Sequence, residues 1–216
     1  MTQSAQTYRS QGYLSLPGLM PREVGMGFLA RLKDDLARQG IPFSRLLQPS
    51  HLLRAPAAEI YSNHYVPLAG FHWGMTPAIA SLTGEDLLPT YAYFRLYRQG
   101  DICRVHCDRF ACEHSVSLTL AYADELPWTL EVATVRDEHP RQRADEGFAQ
   151  GEQPESVAMM PGDAVLYQGV HHHHGRTAPN PNRWSAHLFL HWVTRNGPYG
   201  TEAFDKQPVP ERVEMD

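Results

Sequence analysis

The pattern of apolar and polar positions changes character about 90 residues into the chain. Before that point, apolar residues recur at the three- and four-residue spacing of a helix. We predict a helix that begins at Pro21, runs to about Arg38 and stops at Gly40. Its buried stripe is expected to consist of Val24, Phe28, Leu29, Leu32 and Leu36.

Less regular segments surround this helix. Residues 1–20 are a polar lead with a short predicted strand at 12–16. Thr76 and Pro77 have the residue types of a cap and a first helical position, so a short helix is expected from there to Gly84. Residues 41–75 mix proline, alanine and aromatic residues, and fit either the wall of a substrate pocket or an irregular packed cover.

From Tyr91 onward the chain has the residue types and alternation of β-strands. In one segment Val116, Leu118 and Leu120 face one way, and the intervening polar residues face the other. Short strands separated by turns, after the helices, are typical of an antiparallel sandwich or barrel. The predicted strands are 91–97, 115–120, 128–132, 156–160, 164–167 and 184–193, with turns at 99–101 and 161–163.

These patterns predict one domain in three parts. Residues 1–90 are expected to give helical support and a pocket wall, residues 91–195 a β core, and residues 196–216 a polar tail. Within the core, residues 136–155 are charged with scattered glycine and proline, which predicts a long mobile connection.

Composition narrows the possible functions. The 216 residues suffice for one domain with a real core, and a formal charge of −5 does not favour a general nucleic-acid surface. The odd cysteine count argues against a disulfide framework, and no CxxC pair supports a zinc site, so thiols in a reducing cytoplasm are expected. Neither a signal peptide nor an apolar run of membrane-spanning length is visible, and nothing in the pattern sets the oligomeric state.

His106 and Asp108 are the first candidate ligands of a metal ion. Residues two apart on an extended segment point to the same side, so an imidazole and a carboxylate can hold a divalent metal together. The histidine run 171–174 offers a third ligand, and alternation places His172 and His174 on one face. We choose His174, with His172 as second choice. Two histidines and a carboxylate leave open positions on iron for substrate and dioxygen.

Arg183 and Ser185 are candidates to bind an anion. They lie two apart at the start of a predicted strand, where an arginine fork and a hydroxyl can clamp a carboxylate. Tyr97, on the strand that leads to His106, can add a second hydroxyl. Each element alone has a plainer explanation: a chance pair, a surface histidine tract, a surface arginine and a core tyrosine. In combination they predict a non-haem iron oxygenase with a small keto-diacid as co-substrate.

Two stretches carry a resemblance to a known family. YRQGDICRVHCD, from Tyr97 to Asp108, and PGDAVLYQGVHHHHGRTAPNPNRWSAHLFLHWV, from Pro161 to Val193, resemble the iron(II)- and 2-oxoglutarate-dependent dioxygenases, most closely the prolyl-hydroxylase-like branch. The resemblance implies a double-stranded β-helix, also called a jelly-roll or cupin-like barrel. It matches His106, Asp108 and His174 to the iron ligands, and Arg183 and Ser185, with Tyr97 weaker, to the far carboxylate of 2-oxoglutarate.

The resemblance also implies the reaction. Dioxygen oxidises 2-oxoglutarate to succinate and carbon dioxide, and a substrate C–H bond is hydroxylated. Asp108 favours this outcome, because related halogenases lack the carboxylate. Two alternatives remain open: a cupin-type metal enzyme that does not use 2-oxoglutarate, and a non-catalytic barrel that senses or stores metal.

The primary substrate is not encoded in these motifs. A protein side chain, a free amino acid and a small metabolite all remain open. Specificity is expected in the aromatic segment 61–73 and the loop 136–155, with Trp128 and Arg95 as further candidates for substrate contact.

Overall fold

The computed structural model describes residues 2–140 and 144–215. Three α-helices come early in the chain: α1 (Gln3–Gln11), α2 (Arg22–Arg38) and α3 (Val66–Thr83). None of the helices in these ranges is long and apolar enough to cross a membrane. The strands are β1 (Tyr13–Leu16), β2 (Leu47–Gln48), β3 (Ala57–Tyr61), β4 (Leu87–Arg98), β5 (Cys103–His106), β6 (His114–Tyr122), β7 (Leu130–Ala133), β8 (Pro154–Val157), β9 (Ala164–Tyr167), β10 (His174–Arg176) and β11 (Trp184–Thr194).

These strands form two antiparallel sheets. The larger sheet has the order β1-β9-β6-β11-β4-β3-β2, and the smaller has the order β5-β10-β7-β8. Side chains of the two sheets share a core in which Leu130 and Val132 of β7 pack with Val165 and Tyr167 of β9. The predicted jelly-roll fold is confirmed, although the strands form two facing sheets and not a closed barrel.

The helices cover the outer face of the larger sheet. Val116, Leu118 and Leu120 of β6 join Leu32 and Leu36 of α2 in one apolar cluster. The alternation predicted in β6 is therefore confirmed, but the intervening face is also fully buried. Its residues, Ser115, Ser117 and Thr119, lie between the two sheets and give the interior a polar lining.

Helix α2 follows its prediction except at one position. Leu32 and Leu36 are buried, and the chain leaves the helix through Gly40, whose φ of +64° suits glycine. Val24 is 50% exposed, so it lies outside the buried stripe.

Helix α3 is longer than the short helix predicted from Thr76. Thr76 and Pro77 lie inside it, and Thr76 Oγ1 accepts a hydrogen bond from Trp192 Nε1 at 2.9 Å, so Thr76 is not a cap. A second proline, Pro67, sits in the true first turn. The error has a physical cause, because the first half of α3 is apolar on most sides and shows no single stripe.

Helix α1 lies in the segment predicted to be a polar lead. Thr2 Oγ1 accepts a hydrogen bond from Ala5 N at 3.2 Å, and Gly12 ends the helix at a φ of +79°. Tyr8 is its buried anchor, with its hydroxyl hydrogen-bonded to His114 Nδ1 at 2.9 Å. Few apolar residues mark α1, so its stability depends on this tertiary contact.

Two peripheral segments differ from simple loops. In the connection between β7 and β8, Asp145 pairs with Val105 through an isolated β-bridge, while residues 141–143 lie outside the described residues. In the C-terminal tail, the Tyr199 ring stacks on Phe110 at 4.9 Å. Both segments therefore make defined contacts with the rest of the described chain.

Candidate metal and co-substrate site

His106, Asp108 and His174 come together between the two sheets. Strand β5 ends at His106 and β10 begins at His174, and these residues are directly paired in the antiparallel ladder. Asp108 follows β5, with its Oδ1 at 3.4 Å from His106 Nε2 and its Oδ2 at 3.5 Å from His174 Nε2. The three prospective ligand atoms all lie within 4.8 Å of one another. The chain thus places two imidazoles and a carboxylate around one point.

The two imidazole rings are oriented by backbone carbonyls. His106 Nδ1 donates to Arg104 O at 2.7 Å, and His174 Nδ1 donates to His172 O at 2.9 Å. Because a carbonyl only accepts, each Nδ1 carries the hydrogen and each Nε2 keeps a lone pair directed at the centre of the cluster. This tautomer is the one that a metal ligand requires.

Electrostatics support a neutral His106 and an ionised Asp108. Burial lowers the pKa of His106, and the neighbouring His174 lowers it further, so His106 is neutral near pH 7. Burial raises the pKa of the Asp108 carboxyl, but His174 and His106 outweigh this effect and hold it well below its usual range. A neutral imidazole beside an ionised carboxylate suits a divalent cation, because metal ligands must be deprotonated.

His174 is the member of the histidine run that reaches the cluster. His172, the second choice, instead has its Nδ1 at 2.8 Å from Ala133 O, and its ring lies against Gly12, where a Cβ would be 2.1 Å from the ring. Strand β10 begins only at His174, so the strand alternation that paired His172 with it does not apply. The other two histidines also have their own partners: Asp137 O and the Tyr199 hydroxyl for His171, and Glu152 for His173.

Tyr97 and Ser185 both face the interior between the sheets. They are directly opposite each other in the ladder of β4 and β11, and both are fully buried. The Tyr97 hydroxyl accepts a hydrogen bond from Arg95 at 3.1 Å, and Ser185 Oγ accepts one from Asn180 Nδ2 at 3.1 Å. The Tyr97 hydroxyl also has the Cys103 thiol as a hydrogen-bond partner, whereas the Ser185 hydroxyl keeps its own hydrogen for a further acceptor.

Arg183 does not join them, and the prediction that it lines the interior is wrong. Its side chain is 71% exposed and forms an ion pair with Asp124 at 2.8 Å. Its main-chain N–H also donates to Asp124, at 2.7 Å. Strand β11 begins one residue later, at Trp184, so Arg183 and Ser185 do not share a strand face.

Arg176 is a buried cation that we did not predict. It ends β10, two residues after His174, and is 1% exposed. Its guanidinium donates to Trp128 O at 2.6 Å and to Ser117 Oγ at 3.4 Å, and lies over the Trp128 ring at 4.7 Å. No carboxylate of the described residues is recorded within 4.0 Å of it. A buried charge without a counter-charge is costly, which makes Arg176 a candidate to bind an anion.

His187 adds an unsatisfied polar atom beside this cation. It lies on β11 two residues after Ser185, and is fully buried. Its Nδ1 is 3.3 Å from Thr119 Oγ1, whereas its Nε2 has no hydrogen-bond partner within the described chain. Burial, with Arg176 and Arg95 nearby, holds its pKa well below the usual value.

Arg176 and His187 both pack on the Trp128 ring, which brings them to one place. A neutral imidazole with an unused ring nitrogen and an unneutralised guanidinium together suit a carboxylate. The sequence contains two signals for this candidate anion site. Arg176 is two residues from His174, and His187 is two residues from Ser185 on the same strand face.

A cavity of about 710 Å³ leads to the candidate metal ligands. Its walls include His106, Asp108 and the tyrosines Tyr61, Tyr91 and Tyr93. Tyr61 and Tyr93 stack at 5.2 Å, and Tyr91 and Tyr93 at 6.1 Å, so one wall is a continuous aromatic surface. Part of segment 41–75 therefore lines a pocket, one of the two possibilities left open by the sequence.

Arg95 also lines this cavity, but its charge is neutralised. Its guanidinium lies 2.7 Å from Glu59 Oε1, and both side chains are about 95% buried, with exposures of 5% and 6%. Arg95 and Arg176 therefore differ in one decisive respect, since the described structure gives Arg95 an acidic partner and records none for Arg176.

Comparison with known proteins identifies the fold. No protein-family model matches the sequence, and no curated protein matches it either. Among solved structures, the non-heme alpha-ketoglutarate-dependent carbocyclase SnoK from nogalamycin biosynthesis is 14% identical with a TM-score of 0.64, over 100% of this chain and 94% of that chain.

Two further structures show the same likeness. A Pseudomonas putida prolyl-4-hydroxylase is 18% identical with a TM-score of 0.55, over 90% of this chain and 98% of that one. HygX from Streptomyces hygroscopicus, with nickel and 2-oxoglutarate bound, is 11% identical with a TM-score of 0.63, over 91% and 88% of the two chains. At these identities the likeness establishes a shared fold, and the fold implied by the sequence resemblance is confirmed.

Proposed function

We propose that this protein is an iron(II)- and 2-oxoglutarate-dependent oxygenase. The observation that carries the proposal is the convergence of His106, Asp108 and His174, with both imidazole Nε2 atoms directed at the carboxylate. Two imidazoles and one carboxylate are the donor set of non-haem iron(II) oxygenases. The residues present therefore fit the ion.

The second part of the proposal is that the anion site binds the co-substrate. The far carboxylate of 2-oxoglutarate would be held by the Arg176 guanidinium and by an N–H of neutral His187, with the hydroxyls of Tyr97 and Ser185 on the same inner face. Arg176 and His174 lie two residues apart on β10, so this site adjoins the metal ligands. Arg176 would thereby gain the counter-charge that no described carboxylate supplies.

Iron(II) with 2-oxoglutarate and dioxygen would supply oxidising chemistry, with succinate and carbon dioxide as products. The chain's own residues would position the reactants: His106, Asp108 and His174 hold the metal, Arg176 orients the co-substrate, and the cavity walls exclude water from the substrate. We propose hydroxylation of an unactivated C–H bond as the outcome, because Asp108 occupies a coordination position that a halide would need.

Known structures of this fold support the proposal. One is named as a prolyl-4-hydroxylase, and HygX has been crystallised with nickel, 2-oxoglutarate and hygromycin B. The primary substrate here would enter the cavity over the stacked tyrosines. The three cysteines are buried and not in disulfides, which supports a reducing, cytoplasmic setting.

The direct test is an anaerobic titration of the metal-free protein with iron(II) and 2-oxoglutarate. A chelated keto acid gives a weak visible metal-to-ligand charge-transfer band, and we expect this band in the wild type. His174→Ala should weaken iron binding by more than about 100-fold, since loss of a ligand exceeds the 10–100-fold effect of an outer-shell partner.

His172→Ala is the matched control, and it should keep the band because its ring lies outside the metal cluster. A wild type that binds iron but gives no band with 2-oxoglutarate would contradict the co-substrate assignment and favour a cupin-type enzyme of other chemistry. Loss of the band in His172→Ala, with retention in His174→Ala, would contradict the ligand assignment.

A further inference from the structure

The two segments that carry the candidate iron ligands also carry donor atoms on their reverse side. Cys107 lies between His106 and Asp108, and His173 precedes His174. The Cys107 sulfur, a ring nitrogen of His173 and a carboxylate oxygen of Asp137 all lie within 4.8 Å of one another. None of these atoms belongs to the iron-ligand set, so this is a separate cluster.

His173 is oriented as a metal ligand would be. Its Nδ1 is 2.5 Å from Glu152 Oε1, and its Nε2 lies 3.6 Å from Asp137 Oδ2. Histidines that ligate metals usually give their other ring N–H to a carboxylate or a carbonyl, which fixes the ring and makes the ligating nitrogen more basic. Glu152 fills that supporting role here.

Asp137 is held in place by contacts that leave one carboxylate oxygen directed at His173. Its main-chain N–H donates to His171 O at 2.7 Å, and its carbonyl accepts from His171 Nδ1 at 2.9 Å. Its Oδ1 accepts from His139 N at 2.8 Å, and its Oδ2 faces His173. These contacts fix the Asp137 backbone and its Oδ1 atom, so its Oδ2 atom is held facing His173.

We propose that Cys107, His173 and Asp137 form a second metal site, for a borderline-soft divalent ion of the zinc type. A thiolate, an imidazole and a carboxylate are all zinc ligands, whereas a hard ion such as Mg²⁺ avoids sulfur. Ligands about 2.0–2.3 Å from a tetrahedral ion lie about 3.3–3.8 Å apart, which agrees with the 3.6 Å between His173 and Asp137.

The burial of the cluster suits an ion that enters from solvent. Cys107 is 4% exposed, while the side chains of His173 and Asp137 are 12% and 31% exposed. The buried Cys107 sulfur would bind the ion on its inner side, and the more exposed Asp137 carboxylate would bind it on the side that faces solvent. Water would be the fourth ligand. It would also link the segment of His106 and Asp108 to the start of β10 from behind, and so brace the iron ligands.

Cobalt(II) is the probe that separates this site from the iron site. A thiolate bound to cobalt gives an intense near-ultraviolet charge-transfer band, which a site of two histidines and one aspartate cannot give. We expect the metal-free wild type to bind two cobalt ions per chain and to show this band. Cys107→Ser should abolish the band and reduce the stoichiometry to one.

Three further variants keep the test independent of folding and of the oxygenase proposal. Cys112→Ser is the matched control, because Cys112 lies near Asp108 and His191, and it should keep the band. Asp137→Asn, on the far side from the iron ligands, should weaken cobalt binding at the thiolate site by about 100-fold or more, because a ligand loses its charge and the effect should exceed that of an outer-shell partner. His174→Ala should lose the other ion and keep the band.

Either of two results would overturn the proposal. One is a wild type without a thiolate band, in which case His173, Glu152 and Asp137 form only a charge network. The other is a band that persists in Cys107→Ser and disappears in Cys112→Ser. Failure of the iron site would alter neither result.

Discussion

The interior between the two sheets has a candidate metal end and a candidate anion end, and they differ in charge. At the metal end, an ionised Asp108 lies between the imidazoles of His106 and His174. At the anion end, Arg176 is buried without an acidic partner among the described residues, and His187 has an unused ring nitrogen. One end attracts a cation and the other an anion.

This difference indicates how a keto-diacid would be oriented. In the proposed function, the keto-acid end of 2-oxoglutarate would lie beside His106, Asp108 and His174, and the other carboxylate would be held by Arg176. Strand β10 provides a residue to each end, His174 and Arg176, two positions apart. The short strand β10 therefore carries both side chains, although its register against β5 shifts between them, and the predictions below test each component of the anion end.

The largest effect is expected from Arg176→Met, which removes the cation but keeps much of the side-chain volume. We expect the 2-oxoglutarate concentration needed for half-maximal charge-transfer absorbance to rise about 100-fold, because truncating one partner of a buried charged pair costs about 2–5 kcal/mol. Iron binding without 2-oxoglutarate should change little. For Arg176→Lys, which keeps the charge but not the planar fork, the 2-oxoglutarate requirement should lie between those of the wild type and Arg176→Met.

An unchanged requirement for 2-oxoglutarate in a folded Arg176→Met would remove Arg176 from the proposal. Arg95 would then be the next candidate, since it lines the cavity that leads to His106 and Asp108. Its pairing with Glu59 makes a Glu59→Gln variant the way to distinguish them, because only an Arg95 site should respond strongly to that change.

A smaller effect is expected from His187→Phe. The ring volume is kept, while the nitrogen that has no described partner is lost. One hydrogen bond to a charged acceptor contributes about 1.5–3 kcal/mol, so the 2-oxoglutarate requirement should rise about tenfold or somewhat more. Isothermal titration of the iron-loaded, oxygen-free protein measures it directly.

The same variant has its melting temperature as a second readout. Phe removes both the Nε2 atom without a described partner and the Nδ1 contact with Thr119, so its effect on melting temperature reports these local changes. If His187 only fills space, co-substrate affinity should stay constant whatever the melting temperature, and a folded variant with unchanged affinity would exclude His187 from the anion site.

The two ends also differ in how far the sequence predicts them. His106 and Asp108 are two apart next to a strand, and the structure brings their side chains together with His174. The prediction for Arg183 also required that Arg183 lie inside the strand, but β11 begins one residue later, at Trp184. Spacing alone determines relative direction inside a strand, but not where the strand begins.

The accuracy of the fold prediction also depended on how clear the local sequence pattern was. An antiparallel sandwich or barrel followed from alternating strands and turns, the family resemblance implied the jelly roll, and α2 followed from its stripe. Helix α1 was missed because its burial depends on Tyr8 contacting His114, 106 positions away. The start of α3 was missed because its apolar residues show no period, and an internal proline resembled a helix start.

The smallest effect is expected from Arg183→Ala, which tests the contrast with Arg176 directly. Arg183 is solvent-exposed and paired with Asp124, so its loss should leave both iron and 2-oxoglutarate affinities unchanged. A 2-oxoglutarate requirement that rises as much as in Arg176→Met would show that Arg183 moves into the interior when co-substrate binds, and would reverse the assignment.

Arg183→Ala should nevertheless change the pH dependence of thermal stability. The main-chain N–H of Arg183 and then its guanidinium lower the pKa of Asp124 in the folded protein. A carboxyl with a lowered folded pKa stabilises the fold above its unfolded pKa, and that stabilisation is lost as pH falls through the folded pKa. The variant should therefore melt slightly below the wild type at neutral pH, and the gap should close below about pH 4, where free aspartate becomes protonated. A gap that stays constant from neutral to acid pH would mean that the guanidinium stabilises the fold by packing and not through Asp124.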